Sequence, residues 1–232
     1  MTATILPEAP GSPHRLGRHV HHDPQSLAYA APALPYAALK SIRWTRRIDV
    51  LDQGDLGSCT GNAAVGWLGT DNVHRQGLAS APSGHLLDET YAVDVYAYAT
   101  DVDNVPGEYP PEDTGSTGLA VAKVLKHRGF IQRYRHAFGL RSTLSALQSG
   151  PVLLGTVWLE EMFQPTTDGE LTPDGAQAGG HEIVLDEIDV ERRRVWLTNS
   201  WSAEWGVDGR AWLSWDHLGY LLGQQGDVVV PG

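Results

Sequence analysis

The apolar positions change their period once along the chain, near Pro151. From Cys59 onward Ala63, Ala64, Val65, Trp67 and Leu68 fall at helical spacing, which predicts a long helix over 59–76 that closes near Gly77. Leu87, Tyr91, Val95 and Tyr98 repeat every three to four residues and predict a second helix over 86–99. Ser116 or Thr117 is placed to cap a third, running through Leu119, Val121, Val124 and Leu125 to a stop at Gly129. A short helix over 142–148 ends at Gly150-Pro151. Beyond Pro151 come short apolar runs over 152–158, 181–189, 194–199, 209–215 and 228–230. The second and third read as a hairpin across 190–193. Loops are expected over 79–84, 101–115 and 161–178, where Gly, Pro and acidic residues gather. Helices first and strands afterwards make an α+β protein, arranged as two lobes.

Composition narrows the class. The 232 residues include eight tryptophans and 41% hydrophobic positions, enough for a packed core and too many for a disordered chain. The net charge of −11 argues against a nucleic-acid partner. Arg192-Arg193-Arg194 follows Asp189 and Glu191 and reads as the hairpin turn, not as a basic patch. No run approaches eighteen apolar residues, so no membrane span is expected. Residues 1–10 show no basic, then apolar, secretory pattern. One cysteine allows no internal disulfide, and the expected compartment is a reducing cytoplasm.

Residues 1–33 are rich in Pro, Ala, His and Gly and read as an arm, flexible or packed on the body. His14, His19, His21 and His22 with Asp23 are metal-ligating types. No second ligand cluster of metal spacing follows, so neither a metal site nor a cofactor is expected.

The chemistry concentrates around Cys59. It follows the turn-forming stretch Gln53-Gly54-Asp55-Leu56-Gly57-Ser58 and opens the first helix. A thiol at a helix N-terminus is expected to have a lowered pKa. Downstream stand Gly179-Gly180-His181-Glu182 and Asn199-Ser200-Trp201. The order and spacing of Gln53, Cys59, His181 and Asn199-Ser200-Trp201 resemble the papain-like cysteine peptidases. Over residues 34–226 the chain resembles the bacterial branch of that family. The resemblance implies a helical lobe over roughly 50–145 and a barrel-like β lobe over roughly 146–226, within a peptidase domain of 34–232, with the cleft between them.

It also implies roles. Cys59 is the nucleophile, and His181 takes its proton to form an ion pair and later protonates the leaving amine. Asn199 orients the imidazole, and Gln53 donates to the oxyanion beside the Cys59 N–H. Trp201 shields the His–Asn bond, with Trp205 and Gly206 as a structural part of the motif. Gly180, Glu182, Gly155 and Trp201 are expected along the substrate cleft, Glu182 and Gly155 bordering one side-chain pocket. A carboxylate at Glu182 either favours a basic substrate side chain or points to solvent. Three departures stand out: Thr60 where the family has an aromatic residue, no disulfides, and no long helical prosegment. The substrate-holding Cys-Asn-Gly-Gly loop also lacks a counterpart, and Ala81-Pro82-Ser83-Gly84 is expected to take its place.

The leading expectation is a cysteine peptidase acting on a peptide or protein, of open oligomeric state. Two others stay open: a papain-fold binding module or decayed site without turnover, and an acyl transferase that hands the thioester to an amine, as an isopeptidase or ligase would.

Overall fold

The computed structural model describes residues 3–232, so the first two positions of the arm lie outside the described residues. Helix α1 spans Cys59–Leu68, and every residue in it is buried. A helix apolar on all sides belongs at the centre of a fold. It packs against α2 (Glu89–Val102), α3 (Gly118–His127) and the sheet.

α1 is eight residues shorter at its C-terminus than its apolar pattern predicts. Gly69 caps it, and the Thr70 hydroxyl donates back to the Gly66 carbonyl at 2.8 Å. The Asn72 side chain then accepts from the N–H groups of His74 and Arg75, at 2.8 and 3.0 Å. Such local side-chain bonds offer the backbone an alternative to the next helical turn. The other starts follow their capping residues: Asp88 accepts from Tyr91 N–H, and Thr117 from Ala120 N–H.

The strands form one seven-stranded antiparallel sheet among the described residues. They are β1 (Ile42–Arg43), β2 (Tyr134–Ala137), β3 (Val152–Leu159), β4 (Gln177–Asp189), β5 (Arg194–Thr198), β6 (Arg210–Ser214) and β7 (Asp227–Pro231). The order is β2-β7-β3-β4-β5-β6, with β1 beside β4. The sheet stays open, so the barrel-like lobe is a curved sheet without closure. Helix α4 (Leu140–Ala146) lies where a short helix is expected. Helix α5 (Trp215–Gly223) departs from the expected pattern, in which Trp215 ends a strand over 209–215. The Ser214 hydroxyl accepts from the His217 N–H at 3.0 Å and turns the chain into a helix.

Two cores meet at the sheet. One is built from the β lobe around Leu154, Trp158 and Leu185. The other joins α1, α2 and α3 to Leu153, Val184 and Val229, which are cross-strand neighbours on β3, β4 and β7. Alternation along β3 thus sends Leu153 to the helices and Leu154 to the other core. The register also sets Thr156 opposite His181 and Gly155 opposite Glu182.

Leu154→Ala is expected to lower unfolding free energy by about 2–5 kcal/mol, the usual cost of a buried leucine cavity. Leu86→Ala, at a site 65% exposed, should stay within about 0.5 kcal/mol. Urea denaturation of the two variants checks both.

Candidate active site

Cys59 is the first residue of α1 and is fully buried. The Glu182 N–H on β4 faces its sulfur. His181, the preceding residue of β4, is also fully buried. Its Nε2 lies 2.7 Å from Asn199 Oδ1. An amide oxygen only accepts, so Nε2 carries the proton and Nδ1 is the lone-pair nitrogen. Nδ1 has no partner among the described residues. Asn199 Oδ1 also accepts from the Ser200 N–H at 2.8 Å. The Ser200 hydroxyl donates to Gln53 Oε1 at 2.7 Å, and the Gln53 N–H donates to the Ser200 carbonyl at 3.0 Å. These bonds tie the loop before Cys59 to the loop that carries Asn199. Trp201 stacks on the His181 ring at 4.6 Å between centroids, and Trp158 meets the same ring edge-on at 4.9 Å.

The 1–33 arm runs through this site. The N–H groups of Gly17 and Arg18 donate to the Gly180 carbonyl at 3.1 and 2.9 Å. On the other side Ser116 N–H donates to the Gly17 carbonyl at 2.8 Å, and His19 N–H to the Ser116 carbonyl at 2.7 Å. The arm lies parallel to the chain at Ser116. Gln53 Nε2 donates to the Leu56 carbonyl and, at 3.3 Å, to the arm's Leu16 carbonyl. Trp201 Nε1 donates to the Arg15 carbonyl, and His14 stacks on the outer face of Trp201 at 4.5 Å. Gly17 passes so close to Gly57 that a Cβ there would collide with the Gly57 carbonyl, and its φ of +134° suits glycine alone.

Of the expected cleft residues, Gly180 and Trp201 bond the arm backbone. Glu182 and Gly155 lie side by side under Arg18. Ala81–Gly84 does not take up the strand-holding place: its bonds stay within its own turn, and Ser116 pairs with the arm instead. Of the histidine group, His14 is on Trp201, and His19 accepts from Leu6 N–H and bonds the Thr114 carbonyl.

The thiol departs from expectation. Burial pushes Cys59 well above an ordinary thiol, although the Glu182 N–H pulls the other way. Burial likewise lowers His181 to about 4, against the raising effect of its bond to Asn199. With the arm seated, the resting pair is therefore neutral thiol and neutral imidazole. The helix N-terminus does not offset the loss of water.

Three further residues belong to the site without a local signal in the sequence. Asp113 accepts from the Gly57 N–H, the Tyr96 hydroxyl and Arg15, and so clamps the loop before Cys59 to both α2 and the arm. It sits in an acidic stretch whose pattern is that of a surface loop. Arg18 and Asp227 form a buried ion pair, and nothing local in the sequence joins residues so far apart.

No family model matches the sequence, and no curated protein matches it. Solved structures do. Xylellain, a cysteine protease from Xylella fastidiosa, superposes with a TM-score of 0.69 over 94% of this chain and 96% of its own, at 17% identity. The fold is papain-like. A digestive procathepsin L from Tenebrio molitor larval midgut matches with a TM-score of 0.61, at 17% identity, over 94% of this chain and 76% of its own. Bromelain from Ananas comosus matches at 0.59, with 15% identity, over 85% of this chain and 99% of its own. The structural neighbours of this papain-like chain are cysteine proteases, and that supports a peptidase reading.

Two outcomes are expected. Gly17→Val should unseat the arm, and iodoacetamide should then alkylate Cys59 faster than in the parent chain, by mass spectrometry. The second concerns pH. His181 takes its proton near 4 when folded and near 6.5 when unfolded. Between those values only the unfolded state is protonated, so stability falls as pH drops from about 6.5 to about 4. The full shift is worth roughly 3 kcal/mol, and His181→Gln should flatten that part of the urea-midpoint profile.

Proposed function

We propose that the chain is a cysteine peptidase that cleaves peptide bonds through a thioester on Cys59. The observation that carries this reading is the buried hydrogen bond from His181 Nε2 to Asn199 Oδ1 at 2.7 Å, one residue along β4 from the contact with Cys59. That bond leaves Nδ1 free to accept a proton. Cys59 gives its proton to His181 and attacks the carbonyl carbon as thiolate. The oxyanion accepts from Gln53 Nε2–H and the Cys59 N–H. His181 then protonates the departing amine, and water hydrolyses the thioester. The position of Gln53 supports its part, because the same amide already donates to a carbonyl, that of Leu16.

Turnover needs the arm out of the cleft. Its departure returns water to Cys59 and His181, which removes the main cause of both pKa displacements. The ion pair then becomes accessible.

A second reading has one observation in its favour. Cys59 is fully buried with its pKa raised, as in a papain-fold protein that only binds. Transfer of the acyl group to an amine is a variant of the first reading.

Gly17→Val should digest fluorescently labelled casein, and the added Cys59→Ala change should abolish it. Adding Gln53→Ala to Gly17→Val should cost about 10²–10³ in kcat. A primary amine in the assay separates hydrolysis from transfer by product mass. No digestion, together with Cys59 alkylation that begins only near pH 8.5 in the Gly17→Val chain, favours the binding module.

A further inference from the structure

A cavity of about 560 Å³ lies at the other end of α1 from Cys59, where the two cores meet. Trp67 lines it, roughly 12 Å along the helix axis from Cys59. Phe130 and Ile131 join it from the helical side and Val230 from the β-lobe side. Ala31 and Pro32 of the arm supply part of the wall. A cavity of this volume with apolar lining suits a small organic molecule.

The neutral polar side chains of the wall are already engaged. The Ser145 hydroxyl accepts from the Leu34 N–H and donates to the Arg141 carbonyl. Gln148 exchanges two bonds with the Lys40 backbone, and Asn72 holds the His74 and Arg75 N–H groups. The cations differ. The chain has 28 acidic and 17 basic residues, yet this wall carries Arg75, Arg133 and Arg135 and no Asp or Glu side chain. Arg75 lies over the Trp67 ring, 4.7 Å from its centroid, and donates to the Leu68 and Thr70 carbonyls. The carboxylate that acts on Arg75 is Asp71, and Arg47 already holds it through bonds of 2.9 and 2.8 Å.

Arg133 and Arg135 pair with no carboxylate among the described residues. Arg133 exchanges both backbone bonds with Gly232, and Arg135 is registered with Val230. Both side chains therefore leave the edge strand β2 on one face, at bases roughly 6.8 Å apart. Two cations so placed repel each other, and an anion between them relieves that. Their guanidinium forks match a carboxylate.

We propose that this cavity is a binding site for a small aromatic acid, with its ring against Trp67 and Phe130 and its carboxylate on Arg133 and Arg135. A flat ring suits the indole and phenyl walls. The site is separate from the Cys59 cleft and does not rest on the peptidase reading. Its ligand touches the arm and the body together.

Indole-3-propionate and tryptamine test this on the full chain at neutral pH, because they share a ring system and carry opposite charges. At 10 mM the acid is expected to raise the Tm by about 2 °C or more, with tryptamine and acetate inert. Isothermal titration calorimetry should give one site with a Kd of about 1 mM or tighter. Changing both Arg133→Gln and Arg135→Gln should remove the shift. Arg133→Gln alone, at an exposed position that the fold does not depend on, should weaken binding about tenfold. Phe130→Ala should weaken it as well. The proposal is overturned if the acid gives no shift, if tryptamine matches it, or if Arg133→Gln binds the acid as tightly as the parent chain.

Discussion

Exclusion of water from the cleft is the constraint on which the rest of the structure depends. Cys59, His181 and Glu182 are buried. Burial opposes a charge on each of them. Cys59 and His181 are therefore held neutral beneath the segment that covers them. Main-chain bonds to Gly180 and Ser116 hold that segment, and its side chains Leu6, Leu16 and Val20 are buried in the β-lobe core. An aliphatic side chain buried in this way contributes about 1.5–3 kcal/mol. A short arm without a long helix thereby reaches the contact area needed to stay seated.

The loop ahead of Cys59 depends on the same contacts. Asp113 bonds Gly57 on one side and Arg15 on the other. Gln53 bonds Ser200, Leu56 and Leu16. When the arm leaves, Asp113 loses Arg15 but keeps Gly57 and Tyr96, and Gln53 loses only its weaker bond, so the loop retains most of its hydrogen bonds.

Much of this was legible in the sequence, for physical reasons that differ by element. The hairpin of β4 and β5 and the cap of α3 follow from local signals, the turn at 190–193 and Thr117. The positions of Gln53, Cys59, His181 and Asn199 came from a pattern of residue types in order, which survives where overall identity is low. Helix α1 ends at Leu68 and not near Gly77 because Gly69 closes it and Thr70 and Asn72 divert the backbone through their own side chains. Helix α5 was missed because Trp215 completes an apolar alternation that the Ser214 cap overrides. The lowered Cys59 pKa was expected from the helix end alone. The arm that covers the site lies over forty residues away, and it passes Gly57 at Gly17, a single glycine in a Pro- and Gly-rich stretch where a Cβ would collide.

Strand β4 holds two different groups of side chains in one register. Successive side chains on a strand face opposite ways. His181 is set against Thr156 and joins Asn199, while Glu182 is set against Gly155 and joins Arg18 and Asp227. One register fixes both. A one-residue slip of β4 would exchange the two faces and break up both groups, so the dense packing on either side of the strand fixes the register. The two faces differ in what they tolerate. The His181 face is closed by Trp158 and Trp201, which leave no space to vary. The Glu182 face is bounded by Gly155 and Gly118, where side-chain volume is absent. A side chain at either glycine would collide with Glu182. Dense packing and absent side-chain volume thus lie one residue apart on the same strand.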